Sequence, residues 1–304
     1  MSKIDPNKLL ITSAFYTVQG EGISSGIPSY FIRLGICNLS CGMSKKWFND
    51  FVKNNTNIPE EEKIPDGTIF QGDLHQQGLA TWTCDSTTQW AIRGEDKEFQ
   101  YIIDRWKEQG VYDDIKSGLV HVIWTGGEPT IKGHQEAIVN FHHYLHDVVY
   151  YETLENLKGT AVADEDVYNY IKLDLFNEIE TNGTNYIDAL LFELLDQINC
   201  SPKLSNSGMS AKQRINPEAI KRIMEHPNYQ FKFVISNEED VLELFRDFVT
   251  PFNIPLKNVV AMPGMDSRED FHERTQFCLE MAKKYRFRGM TRLHIAAWNR
   301  VINV

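Results

Sequence analysis

The chain has 304 residues, room for one large domain or two small ones, and its 42% hydrophobic content suits a globular protein with a sizeable core. A net charge of −11, with no basic stripe to offset it, excludes a phosphate backbone as partner and leaves a solvated acidic surface. No apolar run is long enough to span a bilayer, and the polar first ten residues lack the core of a signal peptide, so the expectation is a cytoplasmic protein with neither nucleic acid nor membrane as partner.

In chain order, strand formers cluster first at Ser29–Leu34. A helical pattern at Phe99–Glu108 precedes a strand at Val120–Trp124, which Thr125-Gly126-Gly127 stops. Ile138, Phe141, Leu145 and Val149 mark a helix over Gln135–Tyr150. A strand at Phe176–Glu180 ends before Asn182-Gly183, a helix at Ile187–Leu195 follows, and Gln197–Cys200 is a short strand stopped by Pro202. Asn216 before Pro217 predicts an N-cap and a helix through Met224. Strands at Phe231–Ile235 and Asn258–Met262 alternate with helices at Glu239–Phe248 and Arg268–Tyr285, and Arg292–Ala296 reads as a last strand.

Strands alternating with helices predict parallel pairing and an α/β fold. Two polar segments, 42–81 and 151–174, look inserted. The first carries a short helical pattern at Lys45–Lys53 and the charged run Glu60-Glu61-Glu62-Lys63, a solvated surface. Neither reads as a separate domain, so residues 1–304 are expected to form one.

The unusual residues fall at strand ends. Cys37 and Cys41 follow the first strand, Thr125-Gly126-Gly127-Glu128-Pro129 the second, and Glu180-Thr181-Asn182-Gly183-Thr184 closes the third. Ser201-Pro202-Lys203 follows the fourth and Met262-Pro263-Gly264 closes the sixth. In parallel barrels the active site sits at the C-terminal strand ends, so all five groups are expected around one mouth.

There are five cysteines, Cys37, Cys41, Cys84, Cys200 and Cys278, an odd count that argues against a disulfide framework. Three thiolates suit a 4Fe–4S cluster with one iron left open. The third ligand is less obvious, because 42 residues separate Cys41 from Cys84, and Cys84 and Cys200 are the candidates; a zinc site completed by His75 is the alternative chemistry. Cys278 lies in a helical pattern with Phe277 and Met281 and reads as core, as does Phe15. Lys232, inside FKFVI, either points into the barrel or caps a charge.

The stretch from Thr17 to Gly22 (TVQGEG) and that from Pro28 to Cys41 (PSYFIRLGICNLSC) resemble the opening of 7-carboxy-7-deazaguanine synthases, which belong to the radical S-adenosylmethionine enzymes. Thr83-Cys84-Asp85-Ser86, TGGEP at Thr125–Pro129, ETNGT at Glu180–Thr184, SPK at Ser201–Lys203 and the tail from Leu293 through Trp298 continue that resemblance. It implies a partial, modified TIM-type barrel of about six parallel strands, and a homodimer. Cys37, Cys41 and Cys84 would hold the cluster. Gly126, Gly127 and Glu128 would bind the methionine amino group of S-adenosylmethionine, and Thr83 and Asp85 would touch the same cofactor. Glu180, Ser201, Pro202 and Lys203 would hold its ribose and carboxylate.

Ser86 would ligate Mg²⁺. Val18, Gln19, Gly20, Glu21, Arg33, Thr125, His294 and Val304 would line the pterin site, with Arg33 suited to a substrate carboxylate. Arg33 could instead pair with a protein carboxylate, Glu21 could be a turn residue and His294 a satisfied polar neighbour. The implied reaction is Mg²⁺-dependent ring contraction of 6-carboxy-5,6,7,8-tetrahydropterin to 7-carboxy-7-deazaguanine. A 5′-deoxyadenosyl radical starts it, ammonia is released, and a small electron donor such as flavodoxin feeds the cluster.

The chain departs from the family pattern in two ways. Segment 42–81 separates the second cluster cysteine from the third, and Thr83 stands where the family carries an aromatic, with Trp82 one residue earlier. An activase that makes a glycyl radical on a partner, or a non-catalytic iron–sulfur interaction protein, are the other readings; QGEG and Ser86 speak against the activase.

Overall fold

A computed structural model describes residues 4–42, 80–82, 84, 94–157, 171, 173–264, 268–299, 301 and 303. Among these, nine strands form one sheet: β1 (Leu9–Val18), β2 (Pro28–Leu34), β3 (Glu95–Lys97), β4 (His121–Gly126), β5 (Asn177–Thr181), β6 (Gln197–Cys200), β7 (Tyr229–Ile235), β8 (Val259–Pro263) and β9 (Arg288–Gly289). Their order is β3-β1-β2-β4-β5-β6-β7-β8-β9. β1 lies antiparallel to both its neighbours, and every pair from β2 to β9 is parallel. The sheet is open, with β3 and β9 as its edges, so the fold is the α/β partial barrel expected.

The six expected strands are present, shifted by a residue or two at their ends. Sequence reading missed β1, β3 and β9. It also misassigned Arg292–Ala296, which is not a strand: Leu293–Trp298 is a helix with Arg292 at its N-cap. The alternation in RLHIA imitates a strand, but Ala296 and Ala297 favour helix. Leu293 donates to the Gly20 carbonyl at 2.9 Å, which pins the start of that helix to the loop after β1.

The Asn216 cap is present: its side chain accepts from the backbone of Glu218 and Ala219, and the helix Pro217–Met224 follows. The helix Lys132–Asn156 runs six residues past the expected Tyr150, so segment 151–174 begins as helix. Residues 158–170 and 43–79 lie outside the described residues, and with them the Lys45–Lys53 pattern, the charged run at 60–63 and His75.

The sheet has two chemically different faces. Tyr30, Ile32, Leu34, Val122, Trp124, Ile179, Ile198, Cys200, Phe231, Phe233, Val259 and Ala261 belong to one large core under the helices. There Phe141 meets Trp106 and Trp124 edge-on at 5.6 Å each, and burying such a ring contributes about 1.5–3 kcal/mol. Strand side chains alternate. The residues between those core positions therefore face the concave side: Arg33, Thr125, Glu178, Glu180, Asn199, Gln230 and Lys232. Alongside an apolar cluster of Phe15, Phe31 and Ile123, and Val260 and Met262 on β8, these polar residues line that side. Its buried lower part is knit together by Glu178, which accepts from Asn199 at 2.8 Å and meets His121 at 2.5 Å.

Candidate active site

Parallel pairing brings the C-terminal ends of β2, β4, β5, β6 and β7 to one rim. The glycines of the β4 end are there because backbone approaches backbone. Gly127 donates to the Leu34 carbonyl at 2.7 Å and Glu128 to that of Ile36 at 2.9 Å, so strand pairing continues past β2 into the Cys37 loop. A Cβ on Gly127 would lie 1.9 Å from the Ile36 oxygen, and Gly126 has φ +104°, open to glycine.

The Glu128 carboxylate is buried and held by the protein on both oxygens. One oxygen accepts from Thr130 and from the Thr181 hydroxyl at 2.7 Å, and the other, among the described residues, accepts only from the Asn182 backbone at 2.7 Å. Burial pushes the Glu128 carboxyl up despite the hydroxyl and amide donors around it. Asn182 in turn donates to Asn38 at 2.9 Å, and its amide lies 4.0 Å from the Cys37 sulfur.

Cys37, Cys41 and Cys84 are neighbours. The Cys84 N–H donates to the Cys41 carbonyl at 3.3 Å, so the third cysteine returns to the other two despite the long intervening segment. Among the described residues no trio of Cys, His, Asp or Glu converges on the shell of one metal ion. The thiols still sit close enough for their charges to act on one another. Burial, then the charges of Glu128 and Cys41, raise the Cys37 thiol well above its ordinary value. Burial pushes Cys41 up to about 12 against the pull of Lys203.

Cys200 is no rival ligand. It lies on the helix side of β6, buried under Gly183, where an added Cβ would come within 2.6 Å of its sulfur. Cys278 is core as well, with its thiol 3.1 Å from the Ala261 carbonyl.

The Ser201-Pro202-Lys203 segment is held by Ser201 N–H donating to Thr181 O at 2.7 Å. The Lys203 ammonium meets the Ser201 hydroxyl at 3.0 Å and lies 5.6 Å from the centre of the Trp82 ring. Beneath it Arg214 donates to the Lys203 carbonyl and pairs with Glu243 at 2.7 Å and Asp247 at 2.8 Å. Trp82 is fixed by its indole N–H on Asn206 at 2.9 Å, which places an aromatic ring beside Lys203. Thr83, Asp85, Ser86 and Val304 lie outside the described residues.

The QGEG loop folds onto the polar face. Gln19 donates to Glu180 Oε1 at 3.3 Å, and Thr125 to Glu180 Oε2 at 2.8 Å. Lys232 bridges Glu21 at 3.1 Å and Glu180 at 3.3 Å, and Arg292 pairs with the other Glu21 oxygen at 2.8 Å. Gly20 abuts the His294 ring, since a Cβ there would lie 2.3 Å from Nδ1. Gln19, Gly20, Glu21, Thr125, Glu180 and His294 thus come together, and Glu21 is more than a turn residue. Val18 ends β1 opposite Pro28. Arg33 stands over the Phe15 ring at 4.8 Å and donates to Asn303 at 2.7 Å.

Sequence reading left Lys232 open and missed Arg292, Asn182 and Asn206. The alternation of FKFVI held the signal for Lys232. Asn182 stood within the strand-end word at Glu180–Thr184, whereas for Arg292 and Asn206 no local signal exists, because each acts on a distant loop.

The open, mostly parallel sheet with its thiol-bearing rim is an α/β partial barrel. No protein-family model matches the chain. It is similar to a 7-carboxy-7-deazaguanine synthase of Pyrobaculum aerophilum, 27% identical over 96% of this chain and 95% of that one. A synthase of the same name from Halobacterium salinarum is 25% identical over 97% of this chain and 92% of its own length. The crystal structure of QueE from Escherichia coli shares the fold with TM-score 0.51 at 18% identity, over 94% of this chain and 95% of that one. The resemblance stated from the motifs therefore extends along nearly the whole chain.

Proposed function

We propose that this chain is a 7-carboxy-7-deazaguanine synthase, which contracts the ring of 6-carboxy-5,6,7,8-tetrahydropterin with loss of ammonia. The observation that carries the reading is the near full-length similarity to the Pyrobaculum aerophilum synthase, joined to a rim on which the shared motifs meet. Cys37, Cys41 and Cys84 would hold a 4Fe–4S cluster, and one-electron cleavage of S-adenosylmethionine there supplies the hydrogen-abstracting radical.

The protein's own part is placement. Gly126, Gly127 and Glu128 receive the methionine amino group. Glu180, Ser201 and Lys203 take its carboxylate and ribose, and Trp82, beside Lys203, supplies the aromatic surface that Thr83 lacks. Gln19, Glu21 and Thr125 present donors and acceptors to the pterin, and Arg33 receives its carboxylate once Asn303 gives way. Ser86 contributes a hydroxyl to Mg²⁺, with substrate oxygens and water completing the shell. A homodimer fed by a small donor such as flavodoxin completes the proposal. The polar side chains gathered under the QGEG loop suit a polar heterocycle rather than a protein glycine, which favours the synthase over an activase.

The test is anaerobic turnover of the carboxypterin by reconstituted protein, read by product mass. Appearance of 7-carboxy-7-deazaguanine is expected. Cleavage of S-adenosylmethionine without that product would refute the substrate, and absence of iron after reconstitution would refute the class.

A further inference from the structure

Lys232 lies at the centre of the polar face, on β7 between Phe231 and Phe233, which point the other way into the helix-side core. It is 2% exposed, yet its ammonium is shared by two carboxylates from different parts of the chain. Nζ stands 3.1 Å from Glu21 Oε2 and 3.3 Å from Glu180 Oε1.

The surroundings make that bridge consequential. Arg292 and His294, from the C-terminal helix, face Glu21 from the far side, while Gln19 and Thr125 face Glu180. Burial alone would push the Glu21 carboxyl up; the charges of Lys232, Arg292 and His294 reverse this and hold it well below the usual range. Burial likewise disfavours the charged Lys232, and the two carboxylates more than offset it. Two acids and two bases therefore balance inside the sheet. Without Lys232, Glu180 would keep only neutral donors and would face Glu21 across a water-poor space. Like charges so placed cannot both stay ionised.

We propose that Lys232 is a positioning residue of the site: its ammonium, shared by Glu21 and Glu180, keeps both carboxylates charged and turned to one another, and so fixes the loop Gln19–Gly22 as a rigid floor beneath the substrate. The bridge is assigned from geometry, and the substrate beneath which it lies comes from the proposed function. The floor joins the pterin-facing loop to the strand that the family resemblance assigns to S-adenosylmethionine, so one cation sets the spacing between the two ligands. Arginine is the conservative replacement that retains the charge; methionine keeps length and removes it.

Two readouts on the full chain test this. The first is the melting point of Lys232→Met, Lys232→Gln and Lys232→Arg relative to wild type, from about pH 5, just above the ordinary carboxylate value, to about pH 8. Removing the cation favours the protonated carboxyl in the folded Met and Gln variants. That contribution is present at low pH and lost as pH rises, so their melting points should fall further below wild type as pH rises. Lys232→Arg should keep a constant difference from wild type. The second readout is calorimetric binding of the carboxypterin to cluster-loaded, unreduced protein at the upper pH, with a loss of about tenfold or more in the Met variant and recovery in the Arg variant.

A constant difference from wild type in all variants would overturn the charge-holding role. Reduced stability with unchanged carboxypterin affinity would make Lys232 merely structural and overturn the positioning role. A wild-type protein that binds iron but no carboxypterin would refute the proposed substrate and the floor together, while the melting curves still decide the charge bridge.

Discussion

The carboxylate of Glu128 accepts the backbone N–H of Asn182 at 2.7 Å, so the loop leaving β4 is tied to the loop leaving β5. Its other oxygen takes the Thr130 backbone at 3.0 Å and the Thr181 hydroxyl at 2.7 Å. Glu128 thereby orients Asn182, whose amide faces Cys37 and Asn38.

Removing that carboxylate leaves several buried donors without a partner. Glu128→Ala should cost about 2–4 kcal/mol in denaturant unfolding. Glu128→Gln should cost less, because its one oxygen still accepts a backbone N–H and only the other, of Thr130 or Asn182, loses its acceptor. Equal losses for both variants would mean that the retained acceptor contributes nothing.

Gly127 admits no side chain. With a Cβ 1.9 Å from Ile36 O and 2.5 Å from its carbon, Gly127→Ala must part the β4 end from the Cys37 loop. Retained iron after reconstitution should drop to background, while far-ultraviolet circular dichroism keeps the α/β signature. Full iron retention would show that the loop tolerates displacement.

The proposed cluster ligands separate from the core cysteines by place. Cys84→Ala should abolish the iron–sulfur absorbance, whereas Cys200→Ala and Cys278→Ala should retain it. Cys200 and Cys278 are both buried in the helix-side core, and burial holds Cys278 up at about 12. A Cys84→Ala protein that keeps its iron would end the assignment.

His134 gives a pH signature. Its ring nitrogen lies 2.7 Å from the Gly35 carbonyl, and burial lowers its pKa from 6.5 to about 4. The folded state keeps this ring neutral while the unfolded chain gains a proton, so stability is present above the ordinary value of 6.5 and lost as pH falls towards about 4. His134→Gln, which can still donate to Gly35, should flatten part of that acid limb in melts followed by pH. An unaltered limb would assign the loss to other groups, His142 among them, whose pKa burial also lowers to about 4.

Ser86 is tested through Mg²⁺. Ser86→Ala should weaken the stimulation of turnover by Mg²⁺ and leave iron content unchanged, and Ser86→Thr should restore it because the hydroxyl is retained. Superimposable Mg²⁺ titrations of wild type and Ser86→Ala would remove this residue from the site.

The sequence by itself determined the parallel α/β plan, the helix cap at Asn216 and the thiol-, glycine- and lysine-bearing words at the strand ends. These are local signals: periodicity, stop residues and short motifs, each read within a dozen residues or fewer. It did not disclose β1, whose LLITSAFYTV carries strand formers but follows the antiparallel course of β2 rather than the repeating strand–helix unit. It misread RLHIA, because alternation over five residues is shared by strands and by helices anchored at one end. Only the tertiary structure decided which face of β7 carries Lys232, that Arg292 and Glu21 meet across 271 residues of chain, and that Glu128 ties the β4 loop to the β5 loop. The physical reason is that a charge can be buried only beside its partners. Those partners come from loops whose meeting depends on the curvature and register of the whole sheet, which no short stretch of sequence encodes.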